Sequence, residues 1–274
     1  MNRAQIRVLA AQMGVPERLI FHEQLQLAVL YELHKNPLSQ GFMLRGGSAL
    51  RLYYHHARFA EHLEFVPSES SSVPLTQSLW DAIMESLQSV FPDSYHFDSY
   101  VSGSGNPLIQ RTTIGCQTPE DQQHYLQLDF VDRPACTTRK STVQAPQGAF
   151  HLKAVPPQEI LVDALLAMGH LGTVWAEVWD IACLLDQHVE LDLSWIPRRL
   201  AEDGHAPRKY LHLLERRRTA LQRPESGESL RAWLAPFLSN HEVATCDATN
   251  AWAHVIDAVL GITDSVRQLK ELRG

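Results

Sequence analysis

The sequence lacks the features of a secreted or membrane-spanning protein. Its 274 residues contain four cysteines and no CxxC pair, which speaks against a disulfide framework or a cysteine zinc site. No uncharged apolar run approaches the roughly 20 residues that a membrane helix needs. Arg3 and Arg7 interrupt the first segment, which is typical of an amphipathic helix and not of a signal peptide. We therefore expect a cytoplasmic protein with reduced thiols and no membrane partner. The cysteines are Cys116, Cys136, Cys183 and Cys246.

Positive charge is also scarce. The chain has 24 Lys and Arg against 31 Asp and Glu, a net charge of -7. This balance argues against a broad nucleic-acid coat, because the release of phosphate counterions requires a surplus of cations. Arg216–Arg218 form the centre of the one strongly basic stretch, for which a solvated helix face is favoured over an RNA-docking patch. There is no Walker loop, since the glycine-rich stretch at Gly46 lacks the GK[ST] ending.

The hydropathy pattern divides the chain near residue 155. Hydrophobic residues make up 45% and charged residues 20%, which predicts a packed core. Short apolar runs with turn residues alternate with helical patterns before residue 155, and helical periodicity dominates after it. The sequence therefore predicts an α+β domain over 1–155 with an N-terminal helix, and an α-helical domain over 156–274.

Individual elements follow from the same pattern. In the first domain we predict helices over 3–36, from Ser48 through the following stretch, and over 75–91. The predicted strands are 42–45, 63–66, 95–101, 109–116 and 124–131. In the second domain a long helical stretch begins after Pro156 and is interrupted at Gly169 and Gly172. The later predicted helices are 208–222, 228–238 and the C-terminal segment 252–269.

A glycine turn connects the first predicted strand to the helix after it. Gly46 and Gly47 let a backbone come close to a ligand, and Ser48 stands where a helix N-terminus presents free N–H groups. The turn is therefore a candidate phosphate site. On the local pattern alone the simpler interpretation is favoured, namely a tight turn with Ser48 as the N-cap.

Three polar residues on the predicted strands form a second candidate feature. His62 and Glu64 are two positions apart and share one face, whereas Leu63 and Phe65 take the other. Asp129 likewise points away from the apolar face of its strand. If these strands are neighbours, an imidazole and two carboxylates converge near the glycine turn, as a divalent-metal site for nucleotidyl transfer requires. The alternative is that these polar residues simply face water.

Two stretches carry a family resemblance. The runs Gly46–Leu50 and Arg58–Phe65 resemble the first motif of the AbiEii/AbiGii toxin family of nucleotidyltransferases, a GG-[Ser/Thr]-A-L turn followed by RFSEDLDF. Glu159–Met168 and Trp179–Ile181 resemble the helical signature of that family. The resemblance implies a nucleotidyltransferase-type mixed β-sheet with flanking helices, followed by a helical C-terminal domain. It also implies a nucleoside triphosphate substrate, a divalent metal (Mg or Mn), a possible RNA acceptor, a cognate antitoxin and a role in toxin–antitoxin or abortive-infection systems.

The chain departs from the family at residues that carry charge. The DxD pair of the family corresponds to His62 and Glu64, its lysine to Ala164, and its arginine to Trp179. Histidine is a poor magnesium ligand and suits manganese, zinc or iron better. Two functions therefore stay open: a transferase with an altered metal site, or a catalytically degenerate relative that binds a nucleotide or a protein.

By the resemblance we expect the following site residues. The catalytic and metal-binding residues are His62, Glu64 and Asp129. The nucleotide-binding residues are Gly46, Gly47, Ser48, Arg58 and Asp180, with Arg45 and Arg51 as alternatives to Arg58 for offsetting phosphate charge.

Overall fold

A computed structural model describes most of the chain. The described residues are 1–36, 41–67, 76–92, 96–103, 109–117, 123–131, 139–170, 175–269 and 272. The chain divides into two compact units, Met1–Pro156 and Pro157–Gly274. Two residues named above, Cys136 and Gly172, lie outside the described residues.

The first unit contains four helices and seven strands within the described residues. The helices are α1 (Arg3–Met13), α2 (Glu17–Lys35), α3 (Gly46–Leu52) and α4 (Gln77–Val90). The strands are β1 (Phe42–Arg45), β2 (His62–Pro67), β3 (His96–Gly103), β4 (Ile109–Gln117), β5 (Gln123–Val131), β6 (Arg139–Ala145) and β7 (Gly148–Ala154).

These strands form one mixed sheet in the order β3-β4-β5-β2-β1-β7-β6. Strand β2 is antiparallel to β1 and parallel to β5, so that it joins the first strand to a strand far along the chain. Strand β4 pairs antiparallel with both β3 and β5. The register places Glu64 opposite Asp129 and Asp129 opposite Arg111.

One face of this sheet forms the core of the unit. The side chains of Leu63, Phe65, Ile114 and Leu128 are buried on that face. Helices α2 and α4 pack against each other, and both contact strands of the sheet. The alternation of side chains leaves the polar residues of β2, β4 and β5 on the opposite face. The sheet thus separates an apolar layer from a charged one.

The second unit is helical. Its helices are α5 (Pro157–His170), α6 (Trp175–Asp186), α7 (Trp195–Glu202), α8 (Pro207–Leu221), α9 (Ser226–Leu234), α10 (Asn240–Thr249) and α11 (Ala251–Arg267). Helix α5 packs on α6 and α8, and α11 packs on α6, α8 and α9. The core contains the tilted ring pair Trp179 and Trp252, whose centroids are 5.8 Å apart. A buried ion pair between Glu159 and Arg199 connects α5 to α7.

The predicted fold class, α+β with a mixed sheet and flanking helices, is confirmed. Several element predictions need correction. The helix predicted over 3–36 is two helices, because Gly14 adopts φ +63° and ends α1 in the left-handed conformation. The helix after the glycine turn begins at Gly46 and ends at Leu52, well before the arginine of the first motif. Strands β6 and β7 and helices α7 and α10 were not predicted.

None of the helices in the described part of the chain combines the length and the apolar character needed to cross a bilayer.

Candidate functional site

A row of charged residues crosses four neighbouring strands at one end of the sheet. Arg45 on β1 is the register partner of Glu64 on β2, which is the partner of Asp129 on β5. Asp129 is in turn the partner of Arg111 on β4. Register partners in a sheet project to the same face, so the four side chains form a line in which two adjacent carboxylates are flanked by an arginine on each side. His62 lies beside this line, two positions before Glu64 on β2.

The glycine pair seats two of the charged side chains. A Cβ atom on Gly46 would lie 2.6 Å from Glu64 Oε2, and one on Gly47 would lie 2.4 Å from Arg58 Nη2. Gly46 also has φ +59°, a conformation that favours glycine. The space that the two glycines open is therefore filled by the Glu64 carboxylate and the Arg58 guanidinium. The motif needs glycine here so that these groups can pack against the backbone.

Ser48 fastens the turn to the neighbouring strand. Its side chain is buried, and its hydroxyl donates a hydrogen bond of 3.0 Å to the carbonyl oxygen of Arg45. The backbone N–H of Glu64 donates to the same hydroxyl over 3.4 Å. Ser48 thus holds the start of α3 against β2 and positions Glu64. A direct contact between Ser48 and a nucleotide stays a prediction.

His62 and Glu64 form a hydrogen-bonded pair. His62 Nε2 lies 2.8 Å from Glu64 Oε1, and the side chains are 39% and 26% exposed. Burial opposes the charge on His62, but the hydrogen bond that His62 donates to Glu64 and the attraction of Glu64 and Asp129 outweigh it and raise the pKa of His62. Burial likewise opposes the charge on Glu64, but the hydrogen bond to His62 and the charges of His62, Arg45 and Arg58 lower its pKa to about 2. Glu64 is therefore ionised at neutral pH.

Asp129 is held by Arg111 through a bidentate ion pair. Arg111 Nε donates to Oδ1 over 2.7 Å, and Nη2 donates to Oδ2 over 2.8 Å. Gln127 Nε2 adds a hydrogen bond of 3.0 Å to Oδ2. The hydrogen bond to Asp129 is the main reason that the pKa of Arg111 is raised. Both oxygens of this buried carboxylate are therefore engaged by cationic or amide donors.

This arrangement does not fit the predicted divalent-metal site. Among the described residues, no three His, Cys, Asp or Glu side chains are placed to share one ion. His62, Glu64 and Asp129 lie on neighbouring strands but are not arranged as a shared ligand set, because Arg111 covers the oxygens of Asp129 while His62 and Arg45 bracket those of Glu64. A cation would have to displace a guanidinium group before it reached both carboxylates.

The remaining predicted residues fall in different surroundings. Arg58 is buried beside Gly47, where its charge acts on Glu64. Arg51 instead pairs with Glu23 and stacks over the ring of Phe59 at 3.7 Å, which gives it a structural role.

Two further predictions concern the second unit. Asp180 is buried on α6, and its part in nucleotide binding stays a prediction. In the basic stretch on α8, Arg218 pairs with Asp264 and lies near Glu215, so part of its charge is already offset.

Arg111 and Gln127 bond Asp129 and were not among the predicted site residues. Alternation along the strand 109–116 places Arg111 on the face opposite Ile114, so the face that Arg111 occupies could have been predicted from the sequence. The pairing of Arg111 with Asp129 was not readable, because it depends on the register between β4 and β5.

The sequence and the fold are similar to those of known proteins. The family described as nucleotidyl transferase AbiEii toxin, Type IV TA system, matches residues 28–258. The chain belongs to the AbiEii family. This agrees with the family that the glycine turn and the first motif indicate. No curated protein sequence matches the chain.

Two crystal structures from Helicobacter pylori share the fold of this AbiEii-family chain. The protein JHP933 aligns with a TM-score of 0.51 at 16% identity, over 94% of this chain and 95% of its own. A proposed nucleotidyltransferase aligns with a TM-score of 0.50 at 15% identity, over 93% of this chain and 100% of its own. At such identities the likeness establishes the fold and leaves the chemistry to the site.

Proposed function

We propose that this chain binds a nucleoside triphosphate at the charged end of the sheet and transfers its nucleotidyl group to an acceptor hydroxyl. Membership of a nucleotidyltransferase family supports the reaction class. The observation that carries the proposal for this site is the register pairing of Glu64 with Asp129, which brings two carboxylates together beside His62 and the glycine turn. Active sites collect ionisable groups in this way.

The reaction requires a base that accepts the hydroxyl proton and positive groups that offset the charge of the phosphates. The acceptor oxygen attacks the α-phosphorus in line, a new oxygen–phosphorus bond forms, and the bond to the bridging oxygen of the β-phosphate breaks as pyrophosphate leaves. The hydroxyl proton must pass to a base as the attack proceeds. The described residues offer an imidazole for the first task and arginines for the second.

His62 is the base in this proposal. An ionised carboxylate only accepts hydrogen bonds, so the Nε2 atom of His62 carries the proton that it shares with Glu64. In the neutral ring, Nδ1 is then the nitrogen able to take the acceptor proton. Glu64 fixes the tautomer and stabilises the imidazolium that forms, as carboxylates do beside catalytic histidines.

The phosphates are held by an arginine cluster, which we define as Arg45, Arg58 and Arg111. Each of these side chains acts electrostatically on Glu64. Guanidinium groups suit phosphate oxygens because their planar fork donates two parallel hydrogen bonds. Gly46 and Gly47 contribute by seating Glu64 and Arg58.

The proposal has three further parts. We propose RNA as the acceptor, a cognate antitoxin as a regulatory partner, and the cytoplasm as the place of action. The description of the family as part of a type IV toxin–antitoxin system supports the antitoxin.

Transfer is tested with the purified full chain, α-labelled nucleoside triphosphates and total RNA. We expect label in the RNA with the wild type and its loss, by about a hundredfold or more, in Glu64→Gln, because the imidazolium loses its electrostatic partner. The matched control is Glu85→Gln, which removes the same charge from an exposed position on α4. Equal transfer by Glu64→Gln and Glu85→Gln would contradict the assigned site.

A nucleotide-binding module without transfer is the second candidate. One observation favours it: Arg111 holds the carboxylate oxygens of Asp129 that a catalytic cation would use. Nucleotide binding that depends on Arg111, with no label in any acceptor, would identify the module.

A further inference from the structure

We propose that Arg111 occupies the place of a divalent cation in this site, so that the chain binds polyphosphate through guanidinium groups without a metal ion. This inference rests on the proposed function and assigns to guanidinium groups the positive charge that offsets the phosphates of the nucleotide. It goes beyond that function because it specifies which form of the substrate binds.

Arg111 takes both carboxylate oxygens of Asp129. Its guanidinium group bonds both oxygens of Asp129, at 2.7 and 2.8 Å, in the parallel geometry that makes such pairs strong. Asp129 is in register with Glu64, and Arg111 interacts electrostatically with Glu64 as well. Strand β5 lies between β4 and β2, so Asp129 stands between Arg111 and Glu64 in the row, and Arg111 takes both of the Asp129 oxygens that a metal ion would use.

The positive charges of the arginine cluster exceed the negative charges of the two carboxylates. The three guanidinium groups of the arginine cluster carry one positive charge more than the carboxylates of Glu64 and Asp129 together. This excess is present without a metal ion. Because phosphate oxygens are negative, the arginine arrangement attracts a polyphosphate that carries no metal of its own.

Arg111 has N–H donors that its pair with Asp129 does not use. A guanidinium group has five N–H donors, and the pair with Asp129 uses two of them. The Arg111 side chain is 29% exposed, whereas that of Asp129 is 8% exposed. The carboxylate is thus covered while part of the guanidinium group faces solvent. A phosphate oxygen can approach Arg111 without breaking its bond to Asp129.

A metal ion meets the opposite situation. To reach Asp129 it must remove Arg111 from a bidentate pair, and the displaced guanidinium group then stands beside a dication. Like charges at such separations repel strongly where water is partly excluded. The geometry therefore favours metal-free binding over metal-assisted binding at this end of the sheet.

The test measures binding of ATP and of inorganic tripolyphosphate to the full-length protein by isothermal titration calorimetry. Each probe is titrated once in EDTA and once with excess Mg²⁺ or Mn²⁺. We expect binding in EDTA that is at least as tight as with either metal, since the metal neutralises the phosphates that the arginines attract. Binding that needs a metal, or that tightens about tenfold with one, would overturn the inference.

Variants assign the effect to Arg111. Arg111→Ala is expected to weaken binding in EDTA about tenfold or more, as expected for the loss of hydrogen bonds to a charged partner. The matched control is Arg231→Ala, which removes a bidentate pair with Asp247 of the same geometry, 2.7 and 2.8 Å, from the second unit. Equal effects of the two variants would overturn the inference.

Asp129→Asn gives a test of opposite sign, and it also serves if Arg111→Ala does not fold. Neutralising this carboxylate removes a repulsion from the phosphates, so binding in EDTA should tighten by a few-fold. In a metal site the same change removes a ligand and weakens binding, which would overturn the inference.

The outcomes separate this inference from the proposed function. If wild-type protein binds neither probe under any condition, the proposed function fails and the inference fails with it. If it binds ATP with a metal only, the proposed function stands and the assignment of Arg111 is wrong.

Discussion

Glu64 and Asp129 are register partners on parallel strands, and each carboxylate is held by a different cation. His62 and Arg45 bracket Glu64, whereas Arg111 binds both oxygens of Asp129. Two adjacent negative groups tend to raise the pKa of one of them. Here the pKa of Glu64 is instead lowered, to about 2, which shows that the neighbouring cations dominate. The charged row is consequently sensitive to any change in the groups that position it.

The first prediction concerns Gly46. Gly46→Ala introduces a Cβ that would stand 2.6 Å from Glu64 Oε2, in a backbone with φ +59°. The matched control is Gly14→Ala, which has φ +63° and nothing within 4 Å of the added carbon. Both variants carry the backbone strain, so their difference reports the crowding. We expect Gly46→Ala to lower the free energy of unfolding by about 1–3 kcal/mol more than Gly14→Ala, measured by urea denaturation. Equal losses would contradict the seating of Glu64 by this glycine.

The second prediction concerns pH. Because the pKa of His62 is raised, its pair with Glu64 stabilises the fold fully below pH 6.5 and is lost as pH rises through the pKa of the folded state. Because the pKa of Glu64 is lowered from 4.5 to about 2, its own contribution is present above pH 4.5 and is lost as pH falls through about 2. The pair therefore contributes most between pH 4.5 and 6.5.

Urea unfolding, measured at pH values below and above 6.5, tests the second prediction. His62→Gln should be less stable than the wild type below pH 6.5 and should approach it as pH rises above that value. His254→Gln, at an exposed position on α11, is the control and should stay parallel to the wild type. A difference between His62→Gln and the wild type that does not change with pH would refute the prediction.

The third prediction concerns the buried ion pair of the second unit. Glu159 and Arg199 have side chains that are 3% exposed each, so replacing Arg199 takes a buried cation away from the buried Glu159 carboxylate. Arg199→Ala should lower the free energy of unfolding by about 3–5 kcal/mol. The adjacent Arg198 pairs with Glu202 at the surface, 66% exposed, and Arg198→Ala should cost about 0.5 kcal/mol or less. Thermal and urea unfolding decide the matter, and similar losses in the two variants would count against a buried pair.

The fourth prediction concerns cysteine reactivity. Burial, helped by the charge of Asp98, raises the pKa of Cys116 to about 12, so almost none of its thiol is ionised at pH 8. Cys183 is more exposed than Cys116. Iodoacetamide should therefore label Cys183 before Cys116, with Cys116 unmodified until urea unfolds the protein. Mass spectrometry of the peptides measures both, and equal native labelling would show that Cys116 is accessible.

Side-chain alternation made one part of the site predictable. The sequence places His62 and Glu64 on one face of β2 and Leu63 and Phe65 on the other, and the structure buries Leu63 and Phe65 in the core. The position of Asp129 away from the apolar face of β5 follows from the same period. Such patterns are local, because each residue is compared only with its neighbours along the strand.

Register and short elements were not predictable in the same way. The pairing of Arg111 with Asp129 depends on how β4 slides along β5, which no local pattern specifies. The apolar residues of strand β7 do show the period of a strand, since Phe150, Leu152 and Ala154 stand at alternate positions and are buried. Helix α3 ends early because His55 adopts φ 59°, a left-handed conformation that its sequence does not announce.

The parallel pairing of β2 with β5 has a consequence for how the protein forms. The two acidic groups stand at positions 64 and 129, and the chain between them contains α4, β3 and β4. Contacts between such distant positions form slowly, because a long loop must close first. During synthesis, any nascent chain that stops short of β5 carries the glycine turn and Glu64 but not the other half of the charged row. The complete chemical apparatus therefore exists only after most of the first unit has been made.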